Sequence, residues 1–392
     1  MRTILTLALL AAVADAFAAD APMLPPASAD QVPQRLSALA APKAAIERAP
    51  VRFSWALDPY APLTADTQPS VVESREYWQE ADGAELQRGL DLSTSAPGAL
   101  IRVSPVAGAA QVPADAVQLR RAGRPVALAQ RNDAAQLQAA GLQVADGSAA
   151  VQLADEAGPG HYALQVAQAR GRYLVHVYEP HSPVRLHASL SRDRALAGGR
   201  SEVIVDLSDG PRQIADAQGS ALLVAPSGRS WPVPLRRGRD GRLRAPVALP
   251  ADAGDQPPGL WEVQVFAAAG DVQRDVRTAL AVAQPTARLE GRYAFDPRRM
   301  SFDLPVRAAS PGRYEVRGTL YASGPDRALR PVAIAHSAQW LDRGQGRIEL
   351  AFDRQQLPSG FGAPFELRQL ELNDQSRLAP VERRERAARI GR

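Results

Sequence analysis

Two segments with the same pattern, Pro159-Gly-His-Tyr-Ala-Leu-Gln-Val166 and Pro258-Gly-Leu-Trp-Glu-Val-Gln-Val265, decide how this chain is predicted to fold. In each, apolar side chains alternate with other residues after Pro-Gly-x, as in a half-buried β-strand that follows a tight turn. We expect the shared aromatic ring to cover the end of a core. The spacing between the segments matches the about 100 residues of one immunoglobulin-like sandwich, so the repeat predicts consecutive domains of that size.

The same period-two alternation continues along most of the chain beyond residue 50. A third, partial copy of the repeat, Pro311-Gly-Arg-Tyr-Glu-Val316, follows too closely to open another equal domain, so the last domain is predicted to be built differently. The fold class predicted is all-β, with tandem antiparallel β-sandwich (immunoglobulin-like) domains. Representative predicted strands are Tyr173–Tyr178, Val184–Leu190, Trp261–Phe266 and Tyr314–Tyr321.

The N-terminus has the three parts of a cleaved secretory signal. Arg2 is followed by the apolar run Ile4–Phe17, and Ala16-Phe17-Ala18 offers small residues at the cleavage site. Residues 1–18 are therefore predicted to be a signal peptide, and the location to be periplasmic or secreted. No later run reaches the ~18 apolar residues that a membrane span needs, so no span is predicted.

Proline, alanine and charge content suggest the domain boundaries. An Ala/Pro-rich linker or arm includes a helical pattern over Gln31–Arg48 that Pro33 and Pro42 interrupt. The half-buried strand Val51–Leu57 then opens the N-terminal β-domain. The predicted segments are the arm at 19–50, the N-terminal β-domain at 51–181, an immunoglobulin-like domain at 182–284, a C-terminal β-sandwich at 285–378 and a charged tail at 379–392.

Composition excludes several classes of function. The chain has no Cys, which removes disulfides, thiol catalysis and thiolate metal sites. The pI of about 9.7 accompanies a net charge of only +4, from 46 basic and 42 acidic residues. Lys43 is the only lysine, and arginine keeps its proton to higher pH, so the pI does not indicate a basic face for nucleic acid. No nucleic-acid partner is predicted.

No sequence motif for catalysis or for a cofactor is present. The chain contains no Gly-x-Ser-x-Gly, His-Glu-x-x-His or phosphate-binding loop. The carboxylate pairs Asp296 with Asp303 and Glu366 with Glu371 carry no feature that assigns them acid or base work. No catalytic residue and no cofactor are predicted, and whether the chain is an enzyme stays open, with a non-enzyme favoured.

Histidines cluster near the first domain boundary. His176, His181 and His187 lie close to Glu179, and such groups can hold zinc. Their spacing matches no common ligand pattern, and alternate strand positions point side chains apart. No metal site is predicted, and packed or surface histidines are the favoured interpretation.

The densest run of charge lies around a turn. Asp240-Gly241 is a hairpin dipeptide, so five arginines should surround one hairpin tip: Arg236, Arg237, Arg239, Arg242 and Arg244. They could dock lipopolysaccharide phosphate, peptidoglycan carboxylate or nucleic acid. No aromatic residues are interleaved with them to stack bases, which argues against single-stranded nucleic acid. Alternatively, they prevent edge-to-edge association of sheets. Both interpretations remain open.

Exposed aromatic rings are the other candidate binding feature. Trp340, which follows His336 toward a turn, is the candidate for a sugar-binding platform; the alternative is that such rings belong to cores. The other rings considered are Trp55, Tyr77, Trp78 and Trp231.

Several segments resemble a known family. They are Phe53-Ser-Trp-Ala-Leu57, Ser74-Arg-Glu-Tyr-Trp78, Ala96-Pro-Gly-Ala-Leu-Ile-Arg102, Ala363-Pro-Phe-Glu-Leu-Arg-Gln-Leu-Glu-Leu372 and Asp374-Gln-Ser-Arg377. The family consists of exported gammaproteobacterial proteins catalogued as a domain of unknown function. The resemblance implies an N-terminal β-domain followed by immunoglobulin-like domains, and it carries no catalytic residues over. Gly312–Tyr321 is also similar to accessory β-domains of secreted bacterial hydrolases.

Two functions follow as hypotheses. The first is a non-enzymatic structural or protein-interaction module of the cell envelope or exterior. The alternative is a carbohydrate- or envelope-polymer-binding protein, and a hydrolase without a recognised motif is the weakest. The partner is unknown, with an envelope protein or a polysaccharide as candidates.

Overall fold

The chain is an assembly of antiparallel β-sheets in this computed structural model, which describes residues 20–63, 70–257 and 259–391. The predicted signal peptide, residues 1–18, lies outside the described residues, and so does Pro258. Every strand pairing within the described segments that we assign is antiparallel, which confirms the all-β, multi-sandwich prediction. The chain divides into two compact units: residues 1–67 with 283–392 form unit 1, and residues 68–282 form unit 2.

Strands are numbered in chain order. Two precede unit 2: β1 (Ala21–Pro22) and β2 (Val51–Ala56). Unit 2 contains β3 (Val71–Ser74), β4 (Glu76–Asp82), β5 (Leu90–Thr94), β6 (Leu100–Pro105), β7 (Val117–Arg121), β8 (Arg124–Pro125), β9 (Leu128–Asp133), β10 (Ala149–Leu153), β11 (Gly160–Val166), β12 (Arg172–Tyr178), β13 (Val184–Leu190), β14 (Arg194–Leu196), β15 (Arg200–Asp209), β16 (Arg212–Gln213), β17 (Gln218–Val224), β18 (Ser230–Val233), β19 (Arg236–Arg237), β20 (Leu243–Ala248), β21 (Trp261–Ala269) and β22 (Val272–Ala283). Unit 1 resumes with β23 (Ala287–Leu289), β24 (Arg292–Asp296), β25 (Ser301–Ala308), β26 (Gly312–Ser323), β27 (Leu329–Leu341), β28 (Gly344–Ala351), β29 (Gly362–Asp374) and β30 (Ala379–Ile390).

In the part of the chain that the structure describes, helices are few and short. They are α1 (Gly83–Arg88) and α2 (Ala134–Ala139), and each begins with a capping box, from Asp82 to Glu85 and from Asp133 to Gln136. Short 3₁₀ turns lie at Ala114–Ala116, Asp155–Ala157, Ala253–Asp255 and Arg354–Gln356. None of the described helices is long and apolar enough to cross a membrane.

Unit 1 is one sandwich. Its first sheet has the order β1-β24-β25-β23, with β28 also paired to β25, and its second has the order β2-β27-β26-β29-β30. Both sheets contribute to one core, in which Phe302, Leu320 and Leu367 are fully buried. Tyr314, the aromatic of the third repeat copy, donates from its hydroxyl to the Ser310 carbonyl at 2.8 Å and so fixes the start of β26.

The N-terminal arm packs along this sandwich rather than forming a helix. Met23 is buried in the unit 1 core, and the backbone of Leu24 donates to Ala387. Gln31 forms a bridge with Arg383, so its peptide groups bond to the sandwich instead of to an i−4 partner. The helix that the pattern over Gln31–Arg48 suggests is therefore not formed. Pro33 and Pro42 each remove one of the N–H groups a helix would need.

The charged tail predicted at 379–392 was also wrong, because Ala379–Ile390 form the edge strand β30. Val381 and Ala387 face the core and are fully buried. The charges between them are neutralised on the sheet, as in the Arg384–Glu382 ion pair at 2.7 Å. The charged run 382–386 suggests a tail, but its buried members, Glu382 and Arg384, pair with each other and so can lie within a strand.

Strand β2 does not belong to an N-terminal domain at 51–181. It pairs along its whole length with β27, from Val51 opposite Ala338 to Ala56 opposite Ala333. The C-terminal sandwich therefore incorporates a strand from near the start of the chain. Local sequence gives no indication of this partner, since strand pairing depends on residues far apart in the chain.

Unit 2 contains two sandwiches. The first sandwich has the sheets β4-β12-β6-β10-β9 and β5-β11-β7-β8. The second has β19-β20-β15-β13-β3, with β16 paired to β15, and β14-β22-β21-β17-β18. The repeat aromatics Tyr162 and Trp261 are 1% and 2% exposed, one in each sandwich, as expected from their positions at the ends of cores.

Candidate functional site

Three aromatic rings are stacked on the open face of the second sheet of unit 1. Strand alternation directs Phe53 and Trp55 to the same face of β2, and Phe53 lies opposite His336 of β27. The ring centroids are 5.1 to 5.4 Å apart, and the planes lie within 10° to 21° of parallel. Phe53 is 47% exposed and Trp55 is 44% exposed. We call Phe53, Trp55 and His336 the aromatic patch.

These rings are exposed because the side chains on the other face of β2 are the ones bonded to the rest of unit 1. The Ser54 hydroxyl donates to Gln356 Oε1 at 3.1 Å and accepts from the Asp353 backbone at 3.1 Å. Arg52, also on that side, forms an ion pair with Glu349. Because the polar residues of this edge strand bond toward the first sheet, its aromatic residues are left facing solvent.

Charged groups border one side of the aromatic patch. His336 Nδ1 lies 2.6 Å from Glu315 Oε1. Arg317, which is opposite His336 in β26, forms an ion pair with Glu371 at 2.6 Å. The patch therefore combines apolar ring surface with carboxylate and guanidinium groups at its rim, an arrangement that suits a ligand with both CH faces and hydroxyl groups.

Trp340 lies farther along the same strand, four residues beyond His336. The Arg48 guanidinium lies over its ring at 4.2 Å from the centroid, and its indole N–H donates to Asp342 Oδ1 at 3.0 Å. One ring face is thus already occupied by a cation, so Trp340 offers less free surface than Trp55 does.

The five arginines do surround a hairpin tip, between β19 and β20. Two are held in place: Arg237 bonds to the carbonyls of Ala217 and Gly241, and Arg244 pairs with Asp240 at 2.6 Å. The Arg244 guanidinium beside Asp240 holds the pKa of that carboxyl below its usual value. Among the described residues, no acidic side chain pairs with the remaining three, which are exposed: Arg236, Arg239 and Arg242.

The histidines considered for zinc do not converge. His176 pairs with Glu76 at 2.8 Å, and His187 lies 3.3 Å from Glu73. Glu179 is fully buried and forms an ion pair with Arg274 instead. Within the residues described, no group of three or more His, Asp or Glu side chains gathers where a metal could bind.

The carboxylates considered for acid or base work bond to arginines or to backbone N–H groups. Asp303 pairs with Arg347 at 2.7 Å, and Glu366 with Arg368 at 2.7 Å. Asp296 accepts backbone N–H bonds from the turn that follows β24. These carboxylates hold strands and turns together.

Two family models match parts of the chain. Residues 42–179 match the family described as "Domain of unknown function (DUF4785) N-terminal domain", and residues 286–390 match its "C-terminal domain". The chain is similar to the crystal structure of a DUF4785 family protein from Legionella pneumophila subsp. pneumophila str. Philadelphia 1. The TM-score is 0.66 at 19% identity, over 93% of this chain and 98% of the other, a likeness that shows the fold alone. A search of curated proteins gave no match. The resemblance seen in the sequence is confirmed: this chain belongs to the DUF4785 family of proteins, whose function is unknown.

Proposed function

We propose that the chain is an exported, non-enzymatic protein of the cell envelope or exterior, and that unit 1 binds a glycan through the aromatic patch. The observation that carries this proposal is the exposed, nearly parallel arrangement of Phe53, Trp55 and His336. Of the two functions suggested by the sequence, this arrangement favours polymer binding over a purely structural role.

The chemistry at the rim favours a sugar over a nucleic acid. Sugar rings present CH groups that pack on aromatic faces, and hydroxyl groups that bond to carboxylates and guanidinium groups. Single-stranded nucleic acid also stacks on aromatic rings but needs a positively charged groove beside them. Here Glu315 and Glu371 accompany Arg317 at the rim, so the charges alternate.

The experiment is a glycan array followed by affinity measurement with the best glycan. Removing one stacking ring should cost about 1 kcal/mol, a loss of about fivefold in affinity, so Phe53→Ala and Trp55→Ala should each weaken binding by that factor. Tyr60→Ala is the matched control, because Tyr60 is a 68% exposed ring of unit 1 that contacts Phe361 and lies outside the patch. The glycan should be recovered uncleaved. An array without hits, or equal losses in patch and control variants, would contradict the proposal.

Export itself is tested by the N-terminus of the mature protein. A cleaved signal predicts a periplasmic or secreted chain that begins at Ala19. Recovery of the intact N-terminus from the cytoplasmic fraction would contradict export and leave the aromatic patch unaffected.

The hairpin tip between β19 and β20, with its five arginines, supports a second candidate function, docking to lipopolysaccharide phosphate. Its rigid frame presents Arg236, Arg239 and Arg242 without acidic partners among the described residues. Replacing these three with Gln should abolish binding to lipopolysaccharide vesicles at low salt. The matched control replaces three exposed arginines elsewhere in unit 2, Arg124, Arg170 and Arg172, and should retain binding. Equal effects of the two sets would reject the hairpin as a site.

A further inference from the structure

A groove of about 480 Å³ lies between the N-terminal arm and the first sheet of unit 1. Three arginines line it: Arg288 of β23, Arg307 of β25, and Arg343 in the turn between β27 and β28. All of its lining residues belong to unit 1. We call it the arm groove, because the arm contributes Gln34, Leu36 and Ala38 to its lining.

Two serines fix the arm beside this groove. The Ser37 backbone N–H donates to the Pro285 carbonyl at 2.8 Å, and the Ser37 hydroxyl donates to Gln284 Oε1 at 2.7 Å. The hydroxyl of the fully buried Ser310 donates to the Ser37 carbonyl at 2.7 Å and accepts from the Leu39 N–H at 2.8 Å. These bonds hold the arm on both sides of Ser37, so the groove is part of the folded structure.

Two of the three arginines face each other across neighbouring strands. Arg288 lies directly opposite Arg307 in the antiparallel pair of β23 and β25. Like charges at opposite positions destabilise a sheet. Arg343 joins them from the turn, where its Nε donates to the Ala309 carbonyl at 2.9 Å. The fold therefore concentrates positive charge at one depression, although this arrangement lowers the stability of the sheet.

The guanidinium groups have few partners in the protein. Within the described segments, Arg288 and Arg307 form no hydrogen bond or ion pair, and the terminal nitrogens of Arg343 form none. No acidic side chain of the described residues lines the groove. Arg307 and Arg343 are exposed, so water screens each of them, and a site depends on the three cations lying around one depression.

Arg288 interacts with the charge of one buried carboxylate, that of Glu382. Burial raises the pKa of Glu382, and the charges of Arg384 and Arg288 oppose that rise. The two carboxylate oxygens accept hydrogen bonds from Arg384 Nε and from the Leu289 N–H, each at 2.7 Å. Glu382 therefore offsets part of the Arg288 charge from inside the fold, but it does not enter the groove.

Two other carboxylates that are close in sequence to the groove arginines have different partners. Glu290 accepts a hydrogen bond from Gln345 at 3.4 Å, and Asp342 accepts one from the Trp340 indole at 3.0 Å. Among the described residues, neither forms an ion pair with an arginine, and neither lines the groove. The groove therefore keeps a net positive charge.

We propose that the arm groove binds a sugar phosphate, with Arg288, Arg307 and Arg343 holding the phosphate. A phosphate monoester carries a charge of about −1.5 to −2 at neutral pH and presents three acceptor oxygens, which matches several guanidinium groups better than a singly charged carboxylate does. The groove has room for more than a phosphate, and Leu36 and Gln34 offer apolar surface and an amide to the attached sugar. This inference does not rest on the aromatic patch, which lies on the other sheet of unit 1.

The test is calorimetric titration of the full mature chain, at low salt, with glucose 6-phosphate, glucose and glucuronate. Glucose 6-phosphate should bind at least tenfold more tightly than either of the other two. Inorganic phosphate should bind more weakly than glucose 6-phosphate, because it lacks the sugar. No binding of glucose 6-phosphate, or equal affinity for glucuronate, would overturn the proposal, and equal affinity for inorganic phosphate would overturn the role of the sugar.

Variants locate the binding site. Arg288→Gln, Arg307→Gln and Arg343→Gln should each reduce the affinity for glucose 6-phosphate about tenfold. Arg298→Gln is the matched control and should bind normally, since Arg298 is exposed in the turn before β25, whereas Arg307 lies near the end of that strand. Losses no larger than that of the control would overturn the assignment.

A second pair of variants changes the charge of the groove without removing an arginine. Ala38 is exposed and lines the groove, so Ala38→Glu places a carboxylate beside the arginines and should weaken binding at least tenfold. Ala38→Gln has nearly the same size without the charge and should bind more tightly than Ala38→Glu. Equal affinities of these two variants would contradict a charged ligand in the groove.

Two further measurements separate this site from other roles and other sites. Arg307→Gln removes one member of the like-charge pair, so the β25 amides should exchange hydrogen no faster than in the parent chain; faster exchange would show that Arg307 holds the sheet together instead. Trp55→Ala and the triple Gln variant of the hairpin tip should both leave glucose 6-phosphate binding intact. Loss of binding in either would place the ligand at that other site and overturn the groove.

Discussion

Replacing Arg274 with methionine should strongly destabilise unit 2. Arg274 is 1% exposed and forms an ion pair with the fully buried Glu179 at 2.5 Å. Its guanidinium also donates to the Val184 carbonyl at 3.1 Å and to the Ser95 and Ser182 hydroxyls at 2.8 Å each. These residues belong to both sandwiches of unit 2, so the pair connects them.

The magnitude follows from the charge left behind. Methionine fills much of the same volume, but Glu179 would keep only its bonds from Ser95 and Ala96 and would have no countercharge. Removing one partner of a buried pair costs about 3–5 kcal/mol. The double variant Arg274→Met with Glu179→Gln leaves no buried charge and should therefore lose less than Arg274→Met alone.

Urea unfolding followed by tryptophan fluorescence measures this loss. In a Trp55→Phe, Trp340→Phe background, all remaining tryptophans belong to unit 2, so the signal reports that unit. Arg185→Met is the control within unit 2, since Arg185 is 40% exposed in its pair with Glu73 and its loss should cost under about 1 kcal/mol. A loss for Arg274→Met no larger than that of the control, or a double variant less stable than the single one, would refute this account of the buried pair.

Three other predictions concern stability. Gly83→Ala should destabilise unit 2 by about 1–3 kcal/mol in the same urea assay, because a Cβ there would lie 2.5 Å from the Ala169 carbonyl oxygen; unchanged stability would show that the backbone yields freely. Deleting residues 379–392 removes β30 and exposes the core residues that it covers, so limited proteolysis should degrade unit 1; a protease-resistant unit 1 would contradict the strand assignment. Burial raises the pKa of Asp275 from 3.8 to about 6, so the folded state holds its proton more tightly and unit 2 should lose about 1 kcal/mol as pH rises from about 4 to about 6, after allowance for solvent screening. Asp275→Asn should remove that dependence in unfolding curves taken at several pH values, and a dependence of the same size in the variant would assign it to another group.

The strands could be predicted from sequence because one face of each is buried. Val184–Leu190 alternates strictly and is β13 with the same bounds, and Tyr173–Tyr178 falls within β12. The alternation of apolar and polar residues does not indicate which strands pair with one another. The pairing of β2 with β27, and of β1 with β24, joins distant parts of the chain, and only the folded structure reveals it.

The candidate site was only partly predictable for the same reason. Trp55 is among the rings that the sequence offers, but the half-buried strand predicted over Val51–Leu57 gives no indication that its aromatic face is the exposed one. The exposure of Phe53 and Trp55 depends on Gln356 and Glu349, which bind the opposite face of β2 and lie far along the chain. His336 joins the patch through cross-strand pairing, for which no local signal exists. The bond from the Trp78 backbone N–H to Asp275 could not be predicted either, since it joins the two sandwiches of unit 2.

The central claim is that a glycan binds on the aromatic patch, and the indole N–H signals of the tryptophans test it most directly. The chain has five tryptophans, so a ¹⁵N correlation spectrum resolves each ring during titration with the glycan selected on the array. We predict that the Trp55 signal shifts and saturates, while the signal of Trp261, which is 2% exposed in unit 2, stays in place. A glycan that binds without moving the Trp55 signal would contradict the account.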